Sequence, residues 1–322
     1  MLVGMRPDQQ HSDPDAEARH TADVRRRILD RIVGRDHELD LLLATVASGR
    51  DVLLEGPPGT SKSTLLHAIT AEWGIPLVFV EGNADLTSAK LVGHHNPARV
   101  LREDYNPDNF VDGPLLDAMR SGGFLYIEEF NRSPEDTLNT LLTAMAERRI
   151  TVPRVGAVTA RPTFRIIASM NPFDNVGTTR LSTSVHDRLC RLAIGYQDAD
   201  CERRIVALRA PLPAAAAASA QRLTADAVEL TRATREHPDI RQGSSVRGAI
   251  DLTAIAGQLL ASRGADSGWS EDGYRDTVYD AMVVALSGRV HVDETVEASP
   301  EAVLRQIWED HFILAPAAAQ PG

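Results

Sequence analysis

Cysteine is nearly absent: Cys190 and Cys201 are the two in 322 residues, and they form neither a CxxC pair nor part of a ligand set at metal-binding spacing. A disulfide framework or a zinc site therefore has no support, and two reduced thiols remain. Long hydrophobic runs are missing too. Hydrophobic residues make up 43 % of the chain, yet none of its stretches approaches the roughly eighteen apolar residues of a membrane-spanning helix. The opening segment MLVGMRPDQQHSDPDAEARH has no apolar core behind a basic start, so it reads as a polar tail, and a cytoplasmic protein is expected. Positive charge is in deficit, with 34 Lys and Arg against 45 Asp and Glu for a formal net charge of -11. That balance argues against nonspecific nucleic-acid binding, which needs cations against phosphate, while leaving room for a local basic pore. No internal repeat is visible.

What the chain does have is a regular alternation. After a polar tail over residues 1–20, helical periodicity starts near Thr21, with Val24, Ile28 and Ile32 on one apolar face. A helix over Glu38–Ala47, an apolar run Asp51–Leu54, a helix from Lys62 and a run Pro76–Val80 follow, then a helix near Pro114–Met119 and a run Phe124–Ile127. A helix over Pro134–Glu147, a hairpin around Ile150–Thr159 and a strand Phe164–Ser169 complete the pattern. Helices alternating with short buried strands predict an α/β fold, a three-layer parallel sheet covered on both faces. After about Gly195 the strands are expected to stop. The predicted domains are thus an α/β unit over 21–195 and a helical unit over 196–314, with a frayed tail over 315–322. In the second, the stretch APLPAAAAASAQ over 210–221 is ambiguous between a helix extension and a proline-marked loop.

The strand DVLLE leads into Gly56, Pro57, Pro58, Gly59, Thr60, Ser61, Lys62, Ser63 and Thr64, then into a helix. That strand–loop–helix context is what a P-loop requires. A triphosphate needs backbone N–H groups curled around its oxygens, a helix N-terminus facing its charge, an ammonium near the β and γ phosphates and a hydroxyl for Mg²⁺. Lys62 and Ser63 fill the last two parts. Ser61 stands where a glycine is usual, and its Cβ resists positive φ. About sixty residues on, the apolar strand Phe124–Ile127 ends in Glu128 and Glu129. In a P-loop protein the first acid holds Mg²⁺ and the second polarises the attacking water. Glu128 is one methylene longer than the usual Asp, so two readings stay open: a working hydrolase, and a nucleotide switch that binds without turnover.

Taken in order, IVGRDHELD, GPPGTSKS, FVDGPLLDAM, FLYIEEFNRSPEDTLNTLLTAMAERRITV, ASMNP and HDRL resemble the MoxR branch of the AAA+ ATPases, from about Ile32 to Arg191. Asn131, Arg132, Met145, Glu147 and Arg148 match that family's segment after the second acid. The resemblance implies further roles. Asn171 corresponds to the sensor-1 residue that orients the lytic water, and Ile32, Val33 and Gly34 to the segment lying against adenine. Arg188 corresponds to the arginine finger supplied to a neighbouring subunit, with Arg191 as a competitor. Gly243-Ser-Ser-Val-Arg247 resembles the sensor-2 motif, which would bring Arg247 to phosphate in cis. The polar stretch between Glu81 and Phe110 occupies the place of the family's helix-2 insert. There the adjacent His94 and His95 point different ways and are expected in a solvated loop without a transition metal.

The implied activity is ATP hydrolysis with ATP and Mg²⁺ as cofactors, in a homo-oligomeric, hexameric ring that remodels or activates a partner protein, often one with a von Willebrand factor A domain. A motor subunit of a metal-chelatase or gas-vesicle system is the alternative within the same enzyme class. A DNA-translocating restriction subunit would need a DNA-reading domain for which this acidic chain leaves no obvious room.

Overall fold

Successive side chains of a strand point to opposite faces, and in β1 (Asp51–Glu55) both sets are buried. Val52 and Leu54 join one apolar cluster with Leu65, Ile69, Phe124 and Tyr126, while Leu53 joins another with Leu125, Ile127, Ile166 and Ala168. A strand apolar on both faces needs cover on both, which crossover helices supply to a parallel sheet. The structure is a computed structural model that describes residues 23–103, 105–172, 178, 181–263 and 270–314. The tails expected over 1–20 and 315–322 lie outside those residues. The chain divides after Gly195 into two compact units.

In chain order the first unit runs α1 (residues 23–29), α2 (Asp36–Ala47), β1, α3 (Lys62–Trp73), β2 (Leu77–Glu81), α4 (Ser88–Val92), β3 (Gly93–His95), α5 (Pro97–Glu103), β4 (Phe110–Asp112) and α6 (Pro114–Ser121). It continues through β5 (Phe124–Glu128), α7 (Glu135–Glu147), β6 (Arg149–Val152), β7 (Gly156–Thr159), β8 (Arg165–Met170), α8 (Thr183–Arg188) and β9 (Leu189–Ala193). Strands β2, β5, β8, β1 and β9 form, in that order, one parallel sheet. All five C-terminal ends therefore lie along one edge, so the residues following β1, β5 and β8 are neighbours although far apart in sequence. The α/β architecture follows the expectation. Strand β9 was not anticipated, because Cys190, Arg191 and Ala193 are exposed on this outermost strand and break the apolar run that marked the others.

Two further expectations need correction. The polar stretch after Glu81 is not simply a loop: it folds into α4, α5 and the antiparallel β3–β4 hairpin, anchored by the fully buried Leu91. His95 lies in β3 and packs edge-on against the rings of Tyr105 and Phe110, with centroids 5.2 and 5.1 Å away. Nor do strands stop at Gly195. The second unit consists of α9 (Ala199–Arg209), α10 (Ala220–Glu236), α11 (Val246–Ser262), α12 (Glu271–Leu286) and α13 (Pro300–Glu309), but β10 (Ile240–Gln242) and β11 (His291–Val292) pair as an antiparallel ribbon. Strands of three and two residues are too short for a two-residue period to register.

The alanine-rich stretch contains both of its expected alternatives: after Pro213 a short 3₁₀ turn covers Ala214–Ser219, and α10 begins at Ala220. The helical unit closes on Leu223, Leu230, Leu252, Val278, Met282, Leu304 and Trp308, which share one buried cluster. Among the described residues no helix is long and apolar enough to cross a membrane.

Candidate nucleotide site

Backbone geometry shapes the loop that joins β1 to α3. Gly56 is required by close approach: a Cβ there would lie 2.0 Å from the carbonyl oxygen of Ile194. Ser61 adopts the left-handed conformation that glycine favours, with φ 67° and ψ 21°. An L-residue in that region costs roughly 1–2 kcal/mol, so the unusual serine is accommodated at an energetic cost, without a change of loop shape. Thr60 is buried and its hydroxyl donates to the Pro57 carbonyl at 2.9 Å, closing the loop on itself. Lys62 Nζ donates to the carbonyls of Gly56 and Pro57, each at 2.9 Å, so the ammonium lies within the curl of the loop. Thr64 is exposed on the first turn of α3.

Strand β5 delivers its acids to the same edge. Ser63 Oγ donates to Glu128 Oε1 at 3.0 Å, so the longer carboxylate reaches the P-loop hydroxyl despite its added methylene. Tyr126, inside the otherwise apolar strand, places its hydroxyl 3.2 Å from Ser63 Oγ and 3.0 Å from Ser169 Oγ. Burial pushes the phenol pKa up, which keeps the hydroxyl protonated and able to donate. Glu129 sits at φ 52° and ψ 43°, a second strained residue, and its half-exposed carboxylate pairs with Arg132 at 2.9 Å. A pair so accessible is worth about 0–1 kcal/mol and gives way readily to a better partner. Asn171 directly follows β8, the strand lying between β5 and β1.

Arg188 lies elsewhere. It ends α8 just before β9, whose register sets Leu189 against Asp51 and Ala193 against Glu55. Arg188 is therefore level with the residue before β1, while Gly56 follows its C-terminal end, six residue steps or about 20 Å along the strand direction. Its guanidinium is exposed, donates to the Ser184 carbonyl at 3.0 Å and borders a cleft of about 380 Å³ with Asp51, Arg148 and Asp187. Arg191, the competing residue, forms a two-pronged pair with Glu55 that holds that carboxyl below the usual range.

Arg35 was overlooked in the sequence. It is 2 % exposed and follows Gly34. Its Nη2 donates to the Thr60 carbonyl at 3.0 Å and to the Gly195 carbonyl at 2.7 Å, and Nη1 pairs with Glu38 at 2.6 Å. The segment Ile32–Gly34 is thereby tied to the phosphate loop. The available signal was an arginine inside IVGRDHELD, at the start of a helix whose apolar face is buried. Tyr126 carried a weaker one, a hydroxyl in an apolar run.

Residues 51–189 match the AAA domain of the dynein-related subfamily. That stretch is an AAA domain, which supports the likeness to the MoxR-type AAA+ ATPases. Among similar proteins, a gas vesicle ATPase GvpN of Ancylobacter aquaticus is 26 % identical over 297 residues, covering 87 % of this chain and 79 % of that protein. GvpN2 of Halobacterium salinarum is 29 % identical over 273 residues, covering 79 % and 73 %. A RuvB variant from Thermotoga maritima superposes with a TM-score of 0.51 at 19 % identity, over 81 % of this chain and 73 % of that one, a likeness of fold.

An AAA domain implies nucleotide binding, and the residues fit the usual metal partner. Ser63 and Glu128 bring a hydroxyl and a carboxylate oxygen together, hard donors of the kind Mg²⁺ prefers. Among the described residues no group of three His, Cys, Asp or Glu could hold a metal by itself. Phosphate oxygens and water would complete the coordination, as is common for Mg²⁺ at phosphate sites.

Proposed function

We propose that this chain binds ATP with Mg²⁺ and hydrolyses it within a homo-oligomeric ring, using the cycle to remodel a partner protein. The observation that carries the hydrolytic reading is the 3.0 Å contact between Ser63 and Glu128, which supports a metal position at the P-loop despite the atypical acid. In this reading the loop Gly56–Thr64 wraps the phosphates, binding them through the N–H groups of its residues other than Pro57 and Pro58 and through the Lys62 ammonium, and Ile32, Val33 and Gly34 line the adenine. Ser63 and Glu128 hold Mg²⁺, which compensates phosphate charge when bound. Glu129 leaves Arg132 to accept a proton from the attacking water, and Asn171 orients that water. Arg247 contacts phosphate in cis. Arg188, at the wrong end of β1 for its own loop, supplies charge to the γ-phosphate bound by a neighbouring copy. A hexamer in the cytoplasm is the assembly this reading favours.

Hydrolysis is tested by exchanging the acids separately. Glu129→Gln is expected to keep ATP bound and abolish turnover, because only the proton acceptor is lost. Glu128→Asp should stay within a few-fold of wild type, and chelation of Mg²⁺ should remove all activity. A wild type that binds ATP without releasing phosphate, together with a Glu128→Asp variant that gains turnover, would establish the switch instead.

The coverage of two gas vesicle ATPases supports a narrower second reading, a motor of a gas-vesicle assembly system. Capture of partners by Glu129→Gln in the native cells separates it from the general one. Gas-vesicle proteins on the trap favour the narrow reading, and a von Willebrand factor A protein favours a chaperone-like activator.

A further inference from the structure

Glu202 on α9 is 1 % exposed, a position where a carboxylate is costly unless its charge is matched. Two arginines from α10 match it, Arg235 Nη1 at 2.7 Å and Arg232 Nη1 at 3.2 Å. Neither arginine ends its contacts there. Arg232 Nη1 also donates to the Gln197 carbonyl at 3.1 Å. Arg235 Nε donates to the Ser244 carbonyl at 2.6 Å, and its guanidinium lies 3.9 Å over the ring of Tyr196. One carboxylate thus holds both the residues that open the helical unit and the loop that leads into α11.

That loop is gripped from a second side. The Ser244 N–H donates to Thr234 Oγ1 at 2.9 Å, and a Cβ on Gly243 would lie 2.5 Å from the Thr234 carbonyl oxygen. Beyond it, Ser245 caps α11 by accepting from the Arg247 N–H at 3.3 Å, and Val246 packs with Val206, Val228 and Ala249. Arg247 itself is exposed. Its backbone is therefore fixed to α9 and α10 while its guanidinium projects to the surface.

We propose that Glu202, acting through Arg235, is a positioning residue for Arg247, so that Tyr196–Gln197 and the start of α11 move as one body. The inference rests on the reading of Arg247 as a phosphate contact. A displacement of the chain at Tyr196 would be carried by two guanidinium groups and one carboxylate to the base of Arg247. A neutral amide at position 202 keeps the shape but loses the charge that holds both arginines.

A double-mutant cycle on the whole 322-residue chain separates positioning from plain stability. The variants are Glu202→Gln, Arg247→Ala and their combination, with kcat for Mg-ATP and melting temperature measured for each. Glu202→Gln is expected to lower kcat about tenfold alone and by less than twofold in the Arg247→Ala background, since residues acting as a unit are non-additive. Its effect on melting should be the same in both backgrounds. Arg235→Lys, which leaves Glu202 charged but cannot reach both Ser244 and the Tyr196 ring, repeats the cycle should Glu202→Gln not fold. Losses of kcat that multiply would overturn the positioning role while leaving Arg247 in place. An Arg247→Ala enzyme of full activity would overturn both.

Discussion

Two serines open two helices that the proposed function places near phosphate, and they do so in opposite ways. Ser61 precedes α3 in the left-handed region, and its side chain caps nothing. Ser245 precedes α11 in extended backbone at φ -83°, and its hydroxyl accepts from the Arg247 N–H. A helix N-terminus has four N–H groups without internal partners. In α3 the serine side chain claims none, which leaves them to the concave loop that an anion would enter. In α11 the Ser245 hydroxyl takes the Arg247 N–H and its carbonyl accepts from the Gly248 N–H at 2.8 Å, which leaves ligand contact there mainly to the side chain of Arg247. The same residue type thus marks a backbone-based site in one unit and a side-chain-based site in the other.

Both helices act within one chain, whereas the largest predicted effect requires a third part from outside it. Arg188→Ala should bind ATP nearly normally yet hydrolyse it about 10³-fold more slowly, the lower range for loss of an arginine finger. Mixing it with Lys62→Ala subunits, which lack a working pocket but keep Arg188, should restore part of the rate. A monomeric enzyme whose rate per subunit is independent of concentration, with Arg188→Ala fully active, would leave the two helices as the whole site.

The next effect sharpens the backbone-against-side-chain distinction. Lys62 lies inside the curl of the α3 loop, so Lys62→Ala should weaken ATP binding about 10- to 100-fold, the loss of one or more charge-assisted hydrogen bonds. Arg247→Ala should change affinity less than it changes turnover, because α11 contributes one exposed side chain and an N-terminus whose Arg247 and Gly248 N–H groups are already bonded. Displacement of a fluorescent nucleotide measures both, and equal losses of affinity would erase the distinction.

How much of this was legible beforehand depends on the kind of signal. The five-stranded parallel sheet was largely readable because four of its strands are apolar on both faces, and the P-loop because its residue spacing mirrors phosphate geometry. Strand β9 was not, since an edge strand with Cys190, Arg191 and Ala193 exposed carries no apolar run. The β10–β11 ribbon was too short for periodicity. Arg35 escaped because long-range contacts to Thr60 and Gly195 leave no local pattern, and Glu202 escaped because a buried acid looks in sequence like a solvated one. Ser61 was legible as a departure, but only the structure gives its sign: the loop keeps its left-handed turn and the serine absorbs the strain.

A smaller effect comes from the cap on α11. Ser245→Ala removes a side-chain acceptor from a helix N-terminus and should cost about 1 kcal/mol of stability, while Ser245→Gly should cost a few tenths. Hydrogen exchange localised to Val246–Ser262 reads this without interference from the first unit. No change for either variant would mean that α11 starts as freely as α3.

The smallest effect concerns Ser61 and carries the opposite sign. A left-handed conformation is disfavoured for serine by its Cβ and nearly free for glycine. Against that gain, glycine makes the unfolded chain more flexible, which costs about 0.4–1 kcal/mol. The two leave a net stabilisation of about 0.5 kcal/mol for Ser61→Gly. Ser61→Ala should be close to neutral, because the hydroxyl caps nothing and the Cβ remains. Nucleotide affinity should hold within two- to threefold for both, since the loop already has the shape that glycine would give it. Thermal melting and exchange across Lys62–Trp73 measure the first expectation, and nucleotide titration the second. If Ser61→Gly destabilises the protein while Ser61→Ala weakens binding strongly, the hydroxyl itself serves the site, and the contrast between the two serines is reduced to one of backbone angle.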